Sequence, residues 1–350
     1  MRKIISVLMI FAILIALAAP GFAVSIEEID TAIADVVSFL LQTVPSPEIG
    51  TIGGEWLVFG VARSGLDIPD EFFENYLVNV ERELIERDGI LHNVRRTDYS
   101  RMILALASAG FDPRDVAGFD LTYRISDFER VVWQGINGAI FALLALDSLN
   151  HSETQELREQ FVGEILRRQL SDGGWNLTAG TVAEISGNEQ GDADLTGMAL
   201  QALAKYRDIP EVVAAIDRGL IFLSENQDDY GGFSGSFSLG GSAVESVVQV
   251  AVALGELGIR IDDERFVKNG NTVADNILSF LNSYELTVYN LMSIEQSFYG
   301  LVSIRRSLDG RSSLYRMSDI ENHVNRRERE WNLLRITKLL LLSQSLSQQF

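Results

Sequence analysis

The sequence predicts an all-α fold: a single α/α toroid of six helical hairpins, followed by a C-terminal helical tail. Three observations carry that reading. Gln169-Leu170-Ser171-Asp172-Gly173-Gly174-Trp175 is echoed by Gln227 through Gly231-Gly232-Phe233, so that a Gln, an acidic turn, two glycines and an aromatic occur twice in one frame. Six segments of small and apolar residues at helical spacing alternate with six more amphipathic ones, the contrast expected between helices buried on most sides and helices buried on one. The apolar segments begin roughly 40–60 residues apart, the period of helical-hairpin repeats.

The elements follow in order. Ile26–Thr43 is the first amphipathic helix, and Gly54–Gly65 the first inner one, opened and closed by glycine. Asp70–Arg87 is outer and Thr97–Gly110 inner; a short outer helix is expected near Asp112–Tyr123 before the inner segment Gly135–Leu149. Glu153–Leu170 leads through the first glycine pair to Asp192–Tyr206, and Pro210–Asn226 through the second to Ser242–Gly258. Asp263–Asn282 and Ser293–Leu308 complete the sixth pair. The paired glycines permit the positive φ that ends an outer helix and turns the chain inward. Trp175 and Phe233 then fasten each turn to the next hairpin.

Composition limits the function classes. The 350-residue chain carries 29 basic and 49 acidic residues, a formal net charge of −20. Such a surface repels nucleic acid and anionic lipid. Arg2 and Lys3 precede an apolar run to Ala19, and Gly21-Phe22-Ala23 offers small residues at the cleavage positions, so residues 1–23 read as a signal peptide and the protein as exported. Residues 24–320 form the toroid and 321–350 the tail, whose Leu339–Leu342 run is too short to span a membrane. No transmembrane span is expected after signal cleavage. Cysteine is lacking, and His92, His151 and His323 are scattered over loops and the tail, so no metal site is assigned.

The repeat Gln169–Trp175 resembles the one shared by squalene–hopene cyclases and protein prenyltransferase β subunits, and Arg218-Gly219, Phe222-Leu223, Gln227 and Gly232-Phe233 fit its longer cyclase form. More closely, the chain resembles secreted bacterial prenyltransferase/squalene-oxidase-repeat proteins. The matching stretches are Gly53–Trp56, Tyr99–Arg101, Trp133–Gly138, Asp192–Thr196, Phe266–Gly270 and Glu295-Gln296. The resemblance implies the toroid. After Phe280 the chain reads Leu281-Asn282-Ser283-Tyr284-Glu285, without the expected Gly-Gly-aromatic turn.

In a closed toroid the inner helices run parallel and their N-termini gather at one mouth. That end collects Glu55, Trp56, Asp98, Tyr99, Arg101, Trp133, Gln134, Asn137, Asp192, Asp194, Glu245, Gln249, Glu295, Gln296 and Tyr299. Polar groups on apolar helices must find partners or line a wet cavity, and aromatics with carboxylates around a concave mouth suit a ligand. The competing reading is structural: Ser242 with Glu245, and Ser293 with Gln296, fit capping boxes, and Asp98 and Asp192 suit helix starts.

Asp192-Ala193-Asp194-Leu195-Thr196 is similar to the Asp-x-Asp-Asp-Thr motif of class II terpene cyclases, with Asp194 at the position of the proton donor and Leu195 replacing the last Asp. The expected function is a binding module at the mouth, holding a polyprenyl, corrinoid or cell-wall glycan ligand, the corrinoid by analogy with the related toroid of vitamin B12 carriers. No other cofactor is expected. The alternatives are an enzyme with cyclase-like or glycan-active chemistry at Asp194 and a second carboxylate, and a scaffold with an empty cavity.

Overall fold

Helices of two kinds alternate along the chain and segregate into two concentric layers. The computed structural model describes residues 24–50, 52–149, 154–178, 190–235 and 242–320. The expected signal peptide, the expected tail, His151 and His323 lie outside the described residues. The outer layer contains α1 (Ile26–Thr43), α3 (Asp70–Glu86), α5 (Phe128–Val132), α7 (Gln155–Arg167), α9 (Pro210–Asn226) and α11 (Val273–Ser283). The inner layer contains α2 (Glu55–Ser64), α4 (Thr97–Ala109), α6 (Ile136–Leu149), α8 (Ala193–Leu203), α10 (Val244–Leu257) and α12 (Leu291–Leu308). Among the described residues there is no strand, only three isolated bridges.

The inner helices close a ring. Each packs on the next, from α2 to α4 through to α10 and α12, and α12 packs back on α2. Their composition makes this possible: α10 buries every position except Glu245 and Gly255. Small residues let the axes approach, since a Cβ on Gly197 would lie 2.8 Å from the Gln249 backbone, and one on Gly300 would lie 3.0 Å from Val248. The outer helices bury one face only, as α3 does with Phe72, Phe73, Tyr76 and Val80.

The repeated glutamine motif does the same work twice. Gln169 Nε2 donates to the Gly173 and Ala215 carbonyls, each at 2.8 Å. Gln227 Nε2 donates to Gly231 and Phe266 at 3.2 and 3.1 Å. Each amide therefore ties its own turn to the following outer segment. The turn acids Asp172 and Asp228 accept from the backbone N–H of Gly174 and Gly232 at 2.9 and 2.8 Å. Trp175 and Phe233 are wholly buried, and the Trp175 indole donates to the Ile165 carbonyl at 2.7 Å.

The end opposite the mouth is sealed by the chain after α12. Buried Arg63 donates to the carbonyls of Leu314, Ser313 and Arg316 at 2.9–3.0 Å and pairs with Asp319 at 2.8 Å. Arg306 reaches the Ser312 carbonyl and the same Asp319.

Three expectations are corrected. No helix forms at Asp112–Tyr123: a tight turn from Val116 to Phe119, with Ala117 and Gly118 at positive φ, is followed by a 3-10 turn over Leu121–Ile125, and the short outer helix is α5. Asp112 and Asp120 bond backbone N–H groups two residues on, offering the chain a local alternative to helix. The two expected inner-helix capping boxes do not form. Ser242 accepts from the Phe233 N–H at 3.1 Å, and α12 begins at Leu291, which leaves Ser293 inside the helix donating to Glu245 of α10. The irregular Leu281–Glu285 stretch leaves the ring closed, with Tyr284 packed on Phe280 at 4.9 Å between centroids.

Two glycines at positive φ separate strain from crowding. At Gly258 (φ 69°) an added Cβ meets nothing within 4 Å, whereas at Gly231 (φ 75°) it would lie 2.2 Å from the Thr272 oxygen. Gly258→Ala is expected to cost only the left-handed backbone term of ~1–2 kcal/mol. Gly231→Ala adds overpacking of a further ~1–3 kcal/mol. Thermal denaturation should show the larger Tm loss for Gly231→Ala; equal losses would contradict this account of the turn.

Candidate functional site

The parallel inner helices bring their first turns to one end of the ring, and a cavity of about 530 Å³ opens there. Seven of the expected residues line it: Trp56 on α2, Arg101 on α4, Asp194 on α8, Glu245 and Gln249 on α10, and Gln296 and Tyr299 on α12. Phe141, Met198, Gly235, Ala243, Ser246 and Met292 complete the wall. Met198 follows Asp194 by one helical turn and Ser246 adjoins Glu245, so extending the helical face inward from the carboxylates would have found both. Gly235 and Ala243 lie in the turn before α10, where periodicity gives no signal.

An aromatic wall stands on one side. Trp56 packs against Phe141 at 5.6 Å and Tyr299 at 5.9 Å between centroids. Behind it, Gln249 Nε2 donates to the Tyr299 hydroxyl at 2.6 Å, and Gln201 Nε2 donates to the Gln249 side-chain oxygen at 3.0 Å.

The polar lining is incompletely satisfied. Among the described residues Asp194 Oδ1 and Ser246 Oγ have no hydrogen bond of good geometry, and Arg101 Nε makes only the 3.6 Å ion pair with Glu55. Buried polar atoms left in this state await a donor or acceptor from elsewhere. Burial pushes the Asp194 carboxyl up to about 6, Asp192 and Glu245 add to the rise, and the neighbouring Ser246 hydroxyl opposes it. Asp194 is therefore the cavity acid that holds a proton into the weakly acidic range. Arg101 is aimed by Asp98, at 2.7 Å, with Glu55 at 3.6 Å.

The remaining expected residues do other work. Glu55 and Glu295 do not line the cavity but lie behind its wall, each 1% exposed. Glu55 accepts from the Gly50 N–H at 3.0 Å and Glu295 from the Gly53 N–H at 2.8 Å, pinning the loop that enters α2. Burial raises Glu55 to about 7 against the opposing Arg101 charge. It raises Glu295 to about 8, opposed by the Gly53 N–H and assisted by the charge of Glu55. Tyr99 does not stack in the cavity: it is fully buried, its hydroxyl donating to Gly89 O and accepting from the Leu91 N–H. Gln134 accepts from the N–H groups of Arg96 and Thr97 and so caps α4. Asp192 caps α8 by accepting from the Leu195 N–H at 3.1 Å. Asn137 is half-buried, does not line the cavity, and its Oδ1 has no partner among the described residues. Trp133 is 72% exposed, outside the cavity.

A larger groove of about 730 Å³ lies at the opposite end. Its buried charges, Arg63 and Arg306, are already engaged with Asp319 and backbone carbonyls. No group of three or more His, Asp or Glu side chains suited to a metal occurs among the described residues. No helix there is long and apolar enough to cross a membrane.

The sequence matches no protein-family model and no curated protein. The prenyltransferase/squalene-oxidase-repeat identity suggested by the motifs thus finds no support beyond the fold itself. Two solved structures share that fold. One is an unsaturated glucuronyl hydrolase from Bacillus sp. GL1, responsible for the degradation of glycosaminoglycan, with a TM-score of 0.54 and 11% identity over 83% of this chain and 99% of that one. The other is a UGL variant with dGlcA-Glc-Rha-Glc, with a TM-score of 0.56 and 11% identity over 83% of this chain and 98% of that one. The likeness establishes the α/α toroid and leaves the chemistry to the site.

Glu295 gives a pH signature. Its folded value of about 8 lies above the ordinary 4.5, so the folded protein holds a proton that the unfolded chain releases. That contribution is complete below about pH 4.5 and is lost as pH rises through 8. Glu295→Gln keeps an acceptor for Gly53 and cannot ionise. Its Tm should match the wild type at pH 4 and exceed it by several degrees at pH 9; a lower Tm at pH 9 would refute the assignment.

Proposed function

We propose that the protein is a glycan-active hydrolase whose acid is Asp194 and whose second carboxylate is Glu245. The carrying observation is the cavity's lining, where the Asp194 carboxyl, the Ser246 hydroxyl and the Arg101 guanidinium border a space walled by aromatic rings. A saccharide satisfies both halves of that surface, its hydroxyls meeting the polar groups and its C–H faces the rings. A polyprenyl chain would offer no polar contact to Asp194 Oδ1 and the Ser246 hydroxyl, which weighs against cyclase-like chemistry. The fold shared with sugar-degrading enzymes is consistent with this reading, as analogy.

The chemistry needs two groups. Asp194 donates its proton to the glycosidic oxygen as the bond to the anomeric carbon breaks. Glu245 takes a proton from the water that attacks that carbon, so water is consumed and both product hydroxyls are accounted for. Burial favours this division of labour, keeping Asp194 protonated to about pH 6. Glu245 is oriented by the Ser293 hydroxyl. Arg101, held by Asp98 and Glu55, positions a substrate oxygen, and Trp56 and Tyr299 carry a ring face. No cofactor enters the reaction. The leader-like residues 1–23 support its acting outside the cytoplasm.

This reading departs from the sequence-based expectation of binding without catalysis. Asp194 combines a raised value with an open space in front of it, the combination expected of a catalytic acid.

Release of reducing ends from a panel of oligosaccharides tests it. Asp194→Asn is expected to lower kcat/KM by ~10²–10⁴-fold with the Tm within a degree or two, and Glu245→Gln to act similarly. Wild-type kcat/KM should fall as pH rises past about 6, where Asp194 loses its proton. Full activity in Asp194→Asn, or saccharide binding with no turnover by the wild type, would overturn the proposal.

A further inference from the structure

Large aromatic side chains seldom stay in water, because burying their rings is among the stronger stabilising terms available to a fold. Five rings nevertheless stand exposed among the described residues, and their placement is uneven. Trp133 (72% exposed), Tyr230 (76%), Tyr284 (57%) and Tyr289 (95%) all occupy connections that carry the chain from an outer to an inner helix. Those connections lie at the end of the ring where the cavity opens. The fifth, Tyr123, follows α4 on the outer layer. At the sealed end, among the described residues, the inner-to-outer turns expose Leu66 as their one large apolar side chain besides Tyr123.

Two of the ring-bearing connections run into the cavity lining. Met292, three residues after Tyr289, lines the cavity and is itself 39% exposed, while Val288 is 62% exposed beside it. Tyr230 precedes the turn whose Gly235 faces Asp194. Trp133 adjoins Gln134, which caps α4. Separate rings around a polar opening differ from the single apolar patch of a protein interface. They suit an extended chain of sugar rings that stacks at intervals and enters the cavity at one point.

Charge narrows the chain further. The protein carries a net charge of −20, and exposed acids adjoin two of the platforms, Asp229 beside Tyr230 and Glu285 four residues before Tyr289. A polyanion lying across this face would be repelled along its length.

We propose that the mouth face of the ring binds an extended, uncharged polysaccharide, with Tyr289, Tyr230 and Trp133 as stacking platforms around the cavity. This rests on the saccharide reading of the cavity and adds to it the length and charge of the substrate. The platforms leave the reacting bond to Asp194 and Glu245 and fix where along the chain that bond falls.

Affinity electrophoresis of the full chain through gels cast with soluble neutral polymers (a β-glucan, a galactomannan, a xylan) or acidic ones (polygalacturonate, chondroitin sulfate) tests the proposal. At least one neutral polymer is expected to retard the protein, to a similar extent at low and high salt. Tyr289→Ala and Tyr230→Ala should each weaken retardation about fivefold or more, while Tyr123→Ala leaves it unchanged; all three rings are exposed, so folding is preserved. Retardation by acidic polymers alone, or retardation insensitive to Tyr289 and Tyr230, overturns the proposal. If oligosaccharides are cleaved in an Asp194-dependent way yet no neutral polymer retards the protein, the mouth surface fails and the hydrolase reading stands. Retardation that depends on Tyr289, without any cleavage, reverses that outcome.

Discussion

Everything in this protein depends on the closure of α12 against α2. Six parallel helices in an open row would present six separate helix starts to solvent. Joined into a ring, they direct those starts toward a common axis and create an interior space at one end. Closure is made at short range. A Cβ on Gly60 of α2 would sit 3.1 Å from the Tyr299 Cβ of α12, so the missing side chain sets the spacing of the joint. Glu295 of α12 adds a directional bond across it to the Gly53 N–H. Tyr299 thereby serves both as a wall of the ring and as a wall of the cavity.

Closure also sorts the carboxylates at the mouth. Residue type does not distinguish them, since Glu55, Asp192, Asp194, Glu245 and Glu295 all sit in or near the opening turns of inner helices. Direction does. Glu55, Asp192 and Glu295 turn toward backbone N–H groups and hold loops or helix starts. Asp194 and Glu245 turn toward the axis and line the cavity. A buried carboxyl bonded to one N–H still resists ionisation, as the raised values of Glu55 and Glu295 show. A raised value alone therefore does not mark a catalytic acid, and the further requirement is an open space in front of it, which Asp194 has.

The two ends of the ring are built for different purposes. At the sealed end, charged side chains are matched with one another and with carbonyls, as Arg63, Arg306 and Asp319 show, and large apolar side chains are mostly covered. At the mouth, four large aromatic rings remain exposed among the described residues. A fold under selection for stability alone would bury them.

The sequence by itself determined the layering and the turns. Glycine pairs flanked by Gln, Asp and an aromatic can satisfy their backbone groups in few ways, and that local chemistry reads directly from Gln169–Trp175 and Gln227–Phe233. Helical periodicity likewise placed all six inner helices and four of the outer ones; it failed at Asp112–Tyr123, where side-chain-to-backbone bonds from Asp112 and Asp120 compete with helix at short range, and it began the last outer helix at Asp263, where a 3-10 turn at Glu264–Phe266 and a tight turn from Lys268 to Asn271 precede α11. Which mouth residues face the axis was decided only by the tertiary structure. Tyr99, Gln134 and Asp192 carry the same kinds of side chain as Tyr299, Gln296 and Asp194, and their neighbours in sequence look alike. What separates them is the rotation of each helix about its own axis, fixed by contacts with helices some 50 residues away, such as those of Gln201 with Gln249 and of Gln249 with Tyr299. Interactions at that range leave no trace in a local pattern, so the ring was legible in the sequence and the orientation of its lining was not.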